Sequence, residues 1–110
     1  NIDGEAQLKK LISDIQSVSL AETGLPLFVA VDQEGEPASR IKFFKELTPQ
    51  SEIKDAAQAN AVGLARAKEL KSLGINLNLA PVLDMVEPDD FIFERSLNAV
   101  STNNGLVLMF

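Results

Sequence analysis

Two short apolar runs, each closed by an aspartate, constrain what this chain can fold into more than any other feature. Leu25–Val31 is almost unbroken in its apolar character and stops abruptly at Asp32. Ile75–Leu83, interrupted by Asn76 and Asn78, stops in the same way at Asp84. A strand wetted on one side alternates polar and apolar residues, whereas a run apolar on both faces suits a parallel strand buried between helices and a core. Helical patterns surround both runs. From Asp3 to about Leu20, Leu8, Leu11, Ile12, Ile15 and Val18 recur at helical spacing, with Lys9, Lys10, Asp14 and Gln16 on the other face. Asp3 is the expected N-cap, and Gly24 with Pro26 closes the segment. Asp55-Ala56-Ala57-Gln58 reads as a capping box that opens a second, Ala-rich helix carrying Val62, Leu64, Leu70 and Leu73 and ending at Gly74. Ser101 is the expected cap of a third helix with Leu106, Val107, Leu108 and Phe110.

The order helix, strand, helix, strand, helix, without hairpin signals, predicts a parallel α/β architecture, either a barrel or an open doubly wound sheet. Residues 33–51 form a long irregular loop with Gly35, Pro37 and Pro49 and a hydrophobic knot at Ile41, Phe43 and Phe44. Long ordered loops in compact domains tend to be functional. The last helix stops on apolar Phe110 without a C-cap, so the chain is expected to be truncated there.

Composition narrows the chemistry. A length of 110 residues allows one small domain, and 45% hydrophobic residues with only Phe as aromatic give an aliphatic core. Ten basic residues against 16 acidic give a net charge of −6, which argues against nucleic acid as a partner because phosphate backbones are bound by basic patches. No apolar run is long enough to span a bilayer. The absence of cysteine excludes disulfides and thiolate metal sites and says nothing about compartment. The absence of histidine excludes Ser-His-Asp and Cys-His nucleophilic chemistry and removes the commonest zinc ligand.

If the two strands are neighbours, Asp32 and Asp84 share the rim where α/β proteins place their sites. Either aspartate alone is equally well read as a turn former. The carboxylate of Asp32 offers lone pairs in fixed geometry that suit a pair of adjacent hydroxyls, and Arg40 and Arg95, each in a loop after a strand, could supply donors. The default for a loop arginine is a solvated charge. Glu34, Glu36, Glu87, Asp89, Asp90 and Glu94 read most simply as solvated loop acids, without the spacing of a divalent-cation site. Asn76 and Asn78 alternate with Ile75, Leu77 and Leu79, which would point them into a polar interior in a structural hydrogen-bonding role.

These residues resemble glycoside hydrolase family 3, in its bacterial β-N-acetylglucosaminidase branch. Leu25-Pro26-Leu27-Phe28-Val29-Ala30-Val31-Asp32-Gln33-Glu34-Gly35 is similar to the family's apolar strand followed by D-Q/H-E-G-G-R-V-x-R. Asn1-Ile2-Asp3 resembles the opening of the helix after the family's second strand. Leu70-Lys71-Ser72-Leu73-Gly74-Ile75-Asn76-Leu77-Asn78 resembles E-L-x-x-L-G-I-N-x-N, Ala80-Pro81-Val82-Leu83-Asp84 resembles A-P-V-L-D, and Glu94-Arg95-Ser96-Leu97 resembles G-D-R-S-F. The stretches occur in the family's order and cover essentially the whole chain.

The resemblance implies that residues 1–110 are a central segment of a (β/α)8 barrel, from helix 2 to the start of helix 4. A full barrel takes roughly 250 residues. It implies a retaining hydrolase of terminal β-linked N-acetylglucosamine or related β-hexosides, with peptidoglycan fragments as a candidate source, and no metal or organic cofactor. Asp32 would bind hydroxyls of the non-reducing-end sugar, Arg40 and Arg95 would also contact substrate, and Asp84 would support the same rim. The family's histidine-bearing acid/base loop and its nucleophilic aspartate belong to later segments. This stretch therefore holds no catalytic residue and is expected to be inactive alone. Glu36 and Pro37 stand where the family has glycine and arginine, and Phe93-Glu94 where it has Gly-Asp, so the binding loops are expected to differ in shape. Those departures leave a non-catalytic or degenerate sugar-binding relative as the alternative.

Overall fold

A computed structural model describes residues 2–84 and 86–96. Along them the chain forms α1 (Glu5–Thr23), β1 (Ala30–Val31), a 3-10 turn at Gln50–Glu52, α2 (Ala56–Leu73), β2 (Leu77–Asn78) and a second 3-10 turn at Phe93–Arg95. β1 and β2 pair in parallel, Ala30 opposite Leu77 and Val31 opposite Asn78. Helices alternating with a small parallel sheet make the chain α/β, as the order of patterns predicts. The third expected helix, from Ser101, lies outside the described residues.

The helix ends follow local chemistry, with one correction. Gly4, and not Asp3, is the N-cap of α1, and it offers no side-chain cap. Asp3 instead donates its backbone N–H to Gln7 Oε1 at 3.3 Å. At the other end Gly24 adopts φ 71° and its N–H reaches Leu20 O, so α1 runs three residues past the expected Leu20, to Thr23. In α2 the Asp55 carboxylate accepts from Gln58 N at 2.8 Å, while Gln58 Oε1 accepts from Lys54 N at 2.9 Å, one residue earlier than in the usual reciprocal box. Asp55→Ala should therefore destabilise the fold by about 1 kcal/mol. A lowered urea midpoint with an unchanged slope would register it.

Leu8 and Ile12 of α1, Leu70 and Leu73 of α2, Ile75, and Ile41 and Phe44 of the long loop form the main core, with Val29, Val31 and Leu47 packed on it. Both helices thus lie on the sheet face that carries Val29 and Val31. The rest of the predicted apolar stripe of α1 (Leu11, Ile15 and Val18) is exposed, because the sheet and α2 cover only one edge of that helix.

The strands are shorter than their apolar runs. Hydrogen bonds from Asn76 N and Leu77 N to Val29 O and from Leu79 N to Val31 O hold the ladder. Side-chain amides extend it where backbone pairing stops. Asn76 accepts from Val29 N at 2.8 Å and donates to Leu27 O at 3.0 Å. Asn78 accepts from Gln33 N at 2.9 Å and donates to Gln33 O at 3.3 Å. From α1, Gln16 takes both the N–H and the carbonyl of Leu27. The structural role expected for both asparagines is what is seen, but the direction expected for Asn78 is not. The register places Asn78 on the Val31 face, towards α2, and leaves Ala30 and Leu77 on the other. That other face is bare among the described residues, with Phe28 at 85% and Leu79 at 61% exposure. The apolar run read as buried on both sides is covered here on one.

Candidate functional site

The site grows from the loop that leaves β1. Asp32 follows the strand directly, and the next side chain organises what comes after. Gln33 is fully buried. Its Oε1 accepts from Arg40 N at 3.1 Å and Ile41 N at 2.9 Å, and its Nε2 donates to Ser39 Oγ at 2.8 Å. One amide thereby folds residues 39–41 back against the strand end. The fold-back brings Arg40 Nη2 to 3.8 Å from Asp32 Oδ2, both groups remaining about half exposed. An open pair of this kind contributes little stability, and both charges stay available to a ligand.

Glu34 lies 6% exposed, in contrast to the solvated acid that its loop position suggests. Arg95, from the 3-10 turn Phe93–Arg95, grips it side-on, Nη2 to Oε1 at 2.7 Å and Nε to Oε2 at 3.0 Å. The hydrogen bonds to Glu34, then the charge of Glu34 and, at longer range, that of Asp32 raise the pKa of Arg95 above its ordinary value. Asp32 therefore lies within electrostatic reach of both arginines.

The loop is held from below by Arg66 of α2, which is 2% exposed. Its Nη1 donates to Gln33 O at 3.3 Å and Glu34 O at 3.1 Å, and its Nη2 to Thr48 O at 3.1 Å and Glu46 Oε1 at 3.2 Å. Burial pulls the pKa of Arg66 down, and Glu46 and then Glu69 oppose that shift. Nε alone lacks a partner among the described residues. The outgoing and returning arms of the loop also meet directly, Glu36 N donating to Leu47 O at 3.0 Å. Gly35 sits in the angle between them at φ 93°, where a Cβ would stand 2.1 Å from Thr48 O.

Of the four residues singled out from the sequence, the structure gathers Asp32, Arg40 and Arg95. Asp84 is exposed, follows an irregular stretch beyond β2, and makes no hydrogen bond or ion pair among the described residues. That stretch is anchored by buried Gln50, whose amide accepts from Val82 N at 3.0 Å and donates to Val82 O at 3.4 Å. Among the described residues no three acidic, His or Cys side chains cluster as a metal site, and no helix is long and apolar enough to cross a membrane.

The model of the glycosyl hydrolase family 3 N-terminal domain matches residues 1–104. The chain belongs to glycosyl hydrolase family 3. It is 36% identical over 98 residues to beta-hexosaminidase A of Pseudoalteromonas piscicida, a match covering 77% of this chain and 16% of that protein. It is 30% identical to beta-hexosaminidases of Idiomarina loihiensis, over 86% of the chain and 30% of the relative, and of Pasteurella multocida, over 90% and 30%. The chain thus spans less than a third of the length of these curated relatives. No solved structure matches it.

The departures from the family pattern leave this cluster intact. Glu36 and Pro37 are joined by a cis peptide, and the Glu36 carboxylate accepts from Lys42 Nζ at 3.2 Å. Arg40 nonetheless reaches Asp32. The roles of Arg66 and Gln33 are not signalled by any motif, and Glu34, expected in solvent, is buried. A lone arginine on an Ala-rich helix, amid Val62, Leu70 and Leu73, was the available signal for Arg66. A charge on a buried face calls for partners.

Proposed function

We propose that this chain is the central segment of a family 3 (β/α)8 barrel and supplies the sugar-gripping rim of a retaining glycoside hydrolase. Its substrate is terminal β-linked N-acetylglucosamine or a related β-hexoside, with peptidoglycan fragments as a source. The observation that carries it is the cluster at the end of β1, where a half-exposed carboxylate, Asp32, stands beside Arg40 and in the field of Arg95. A carboxylate flanked by fixed N–H donors matches vicinal hydroxyls, each of which both donates and accepts. The bare sheet face of Phe28, Ala30, Leu77 and Leu79 is what a barrel interior would cover. The relatives, named beta-hexosaminidases, support the substrate class.

Retaining hydrolysis requires a nucleophile and an acid/base partner, classically carboxyl groups about 5–5.5 Å apart. Asp32 is engaged with arginines in a binding role, and the reading assigns both catalytic groups to parts of the protein beyond this chain. The segment alone is then inactive. In the complete protein, Asp32→Ala should lower kcat/KM for a chromogenic N-acetyl-β-glucosaminide on the order of a hundredfold, from the loss of charge-assisted hydrogen bonds to the sugar. Wild-type kinetics in that variant would remove Asp32 from the rim. A second reading, a non-catalytic sugar-binding relative, is favoured by Glu36 and Pro37 in place of the family's glycine and arginine. Turnover by the complete protein eliminates it.

A further inference from the structure

Beneath the exposed rim lies a buried set of charges that the binding role of Asp32, Arg40 and Arg95 does not itself require. We infer that Glu34 and Arg66 are positioning residues for the sugar rim, Glu34 fixing the orientation of the Arg95 guanidinium and Arg66 fixing the backbone that carries Glu34. The inference rests on the reading of Arg95 as a sugar ligand and goes beyond it by assigning roles to two side chains that never meet the sugar.

The geometry separates the faces of Arg95. Glu34 occupies Nε and one Nη2 hydrogen. No other hydrogen bond from this guanidinium falls among the described residues, which leaves the Nη1 pair and the second Nη2 hydrogen for a ligand. A free arginine samples many rotamers and loses that freedom on binding; a side-on carboxylate removes the loss in advance. Glu34 can do this only if its own place is fixed, since its side chain is 8% exposed and Arg95 is its bonding partner. The fixing falls to Arg66, which bonds the carbonyls of Gln33 and Glu34 on one arm and Thr48 on the other. A planar guanidinium spans such divergent acceptors, whereas a lysine ammonium brings one compact charge. Asn78 adds a second hold on the same turn by closing on both backbone groups of Gln33.

The test is a kinetic cycle in the complete protein with a chromogenic N-acetyl-β-glucosaminide, comparing Arg95→Ala, Glu34→Gln, the double variant and Arg66→Lys. Orienting a ground-state contact affects uniform binding, so Glu34→Gln and Arg66→Lys should each raise KM roughly tenfold, with the effect in KM rather than kcat. In the Arg95→Ala background, Glu34→Gln should add nothing, because it acts through the missing arginine. A merely structural role would lower the active fraction, and so the apparent kcat, at constant KM; that result overturns the inference, as does additivity in the double variant. Glu34→Asp, which keeps the buried charge and withdraws it by a methylene, should give the same KM rise and serves where Gln does not fold. If Arg95→Ala leaves KM unchanged, the rim reading itself falls. If Arg95→Ala raises KM while Glu34→Gln does not, only the positioning role falls.

Discussion

Gly35→Ala should destabilise the protein by about 3 kcal/mol or more and dismantle the loop that carries the rim. The added Cβ would stand 2.1 Å from Thr48 O and 3.0 Å from Arg66 Nη2, at a φ of 93° that L side chains rarely adopt. Backbone strain of this kind costs about 1–3 kcal/mol, and forcing atoms into a filled space adds about 1–3 more. The clash is with backbone, so no rotamer change relieves it. Relief requires the two arms of the loop to separate, which breaks the bond from Glu36 N to Leu47 O and loosens Thr48 O from Arg66. In the complete protein, and on the proposed reading of the rim, a fall in the unfolding midpoint together with a rise in KM for the N-acetyl-β-glucosaminide is the expected pair of results. A midpoint within experimental error of wild type would show that the arms can part without cost.

Arg66→Met should destabilise by about 3–5 kcal/mol, the range expected when one partner of a buried ion pair is removed. Methionine fills the stem volume, so the loss isolates the head group. Three backbone carbonyls and the Glu46 carboxylate would each lose a donor. Glu46 is 16% exposed on its side chain and keeps one bonding arrangement, with Thr48 N and Oγ1. Glu69, which binds the N–H groups of Lys45 and Glu46, would lose the same countercharge. Adding Glu46→Gln to Arg66→Met should therefore recover part of the loss. A double variant no more stable than Arg66→Met would mean that the orphaned carbonyls, and not the carboxylate, set the cost. Thermal unfolding of the single and double variants separates these contributions.

Much of this was legible along the chain. Local chemistry places Asp55 and Gly74 at the ends of α2, since a cap needs only a side-chain acceptor or a glycine free to enter the left-handed region. The apolar runs mark where β1 and β2 lie and that they are parallel. Their paired lengths are not written there, because a ladder extends only as far as a neighbour offers matching N–H and carbonyl groups. For the same reason Leu11, Ile15 and Val18 scan as a core face yet lie exposed: hydrophobic periodicity reports a face suited to burial, not the presence of something to bury it.

The rim itself divides along the same line. That Asp32 ends a strand, and that Arg40 and Arg95 sit in loops after strands, is written in the chain, because strand ends and loop chemistry are local properties. Asp84 closes the second apolar run by the same logic, yet no hydrogen bond or ion pair among the described residues joins it to the rim. That Glu34 is buried, and that Arg95, 61 residues further on, is its partner, follows from contacts between distant segments. So does the pinning of both arms of the loop by an arginine on α2. The cost of burying a charge is settled by whatever surrounds it in space, and those surroundings are assembled from segments far apart in the chain.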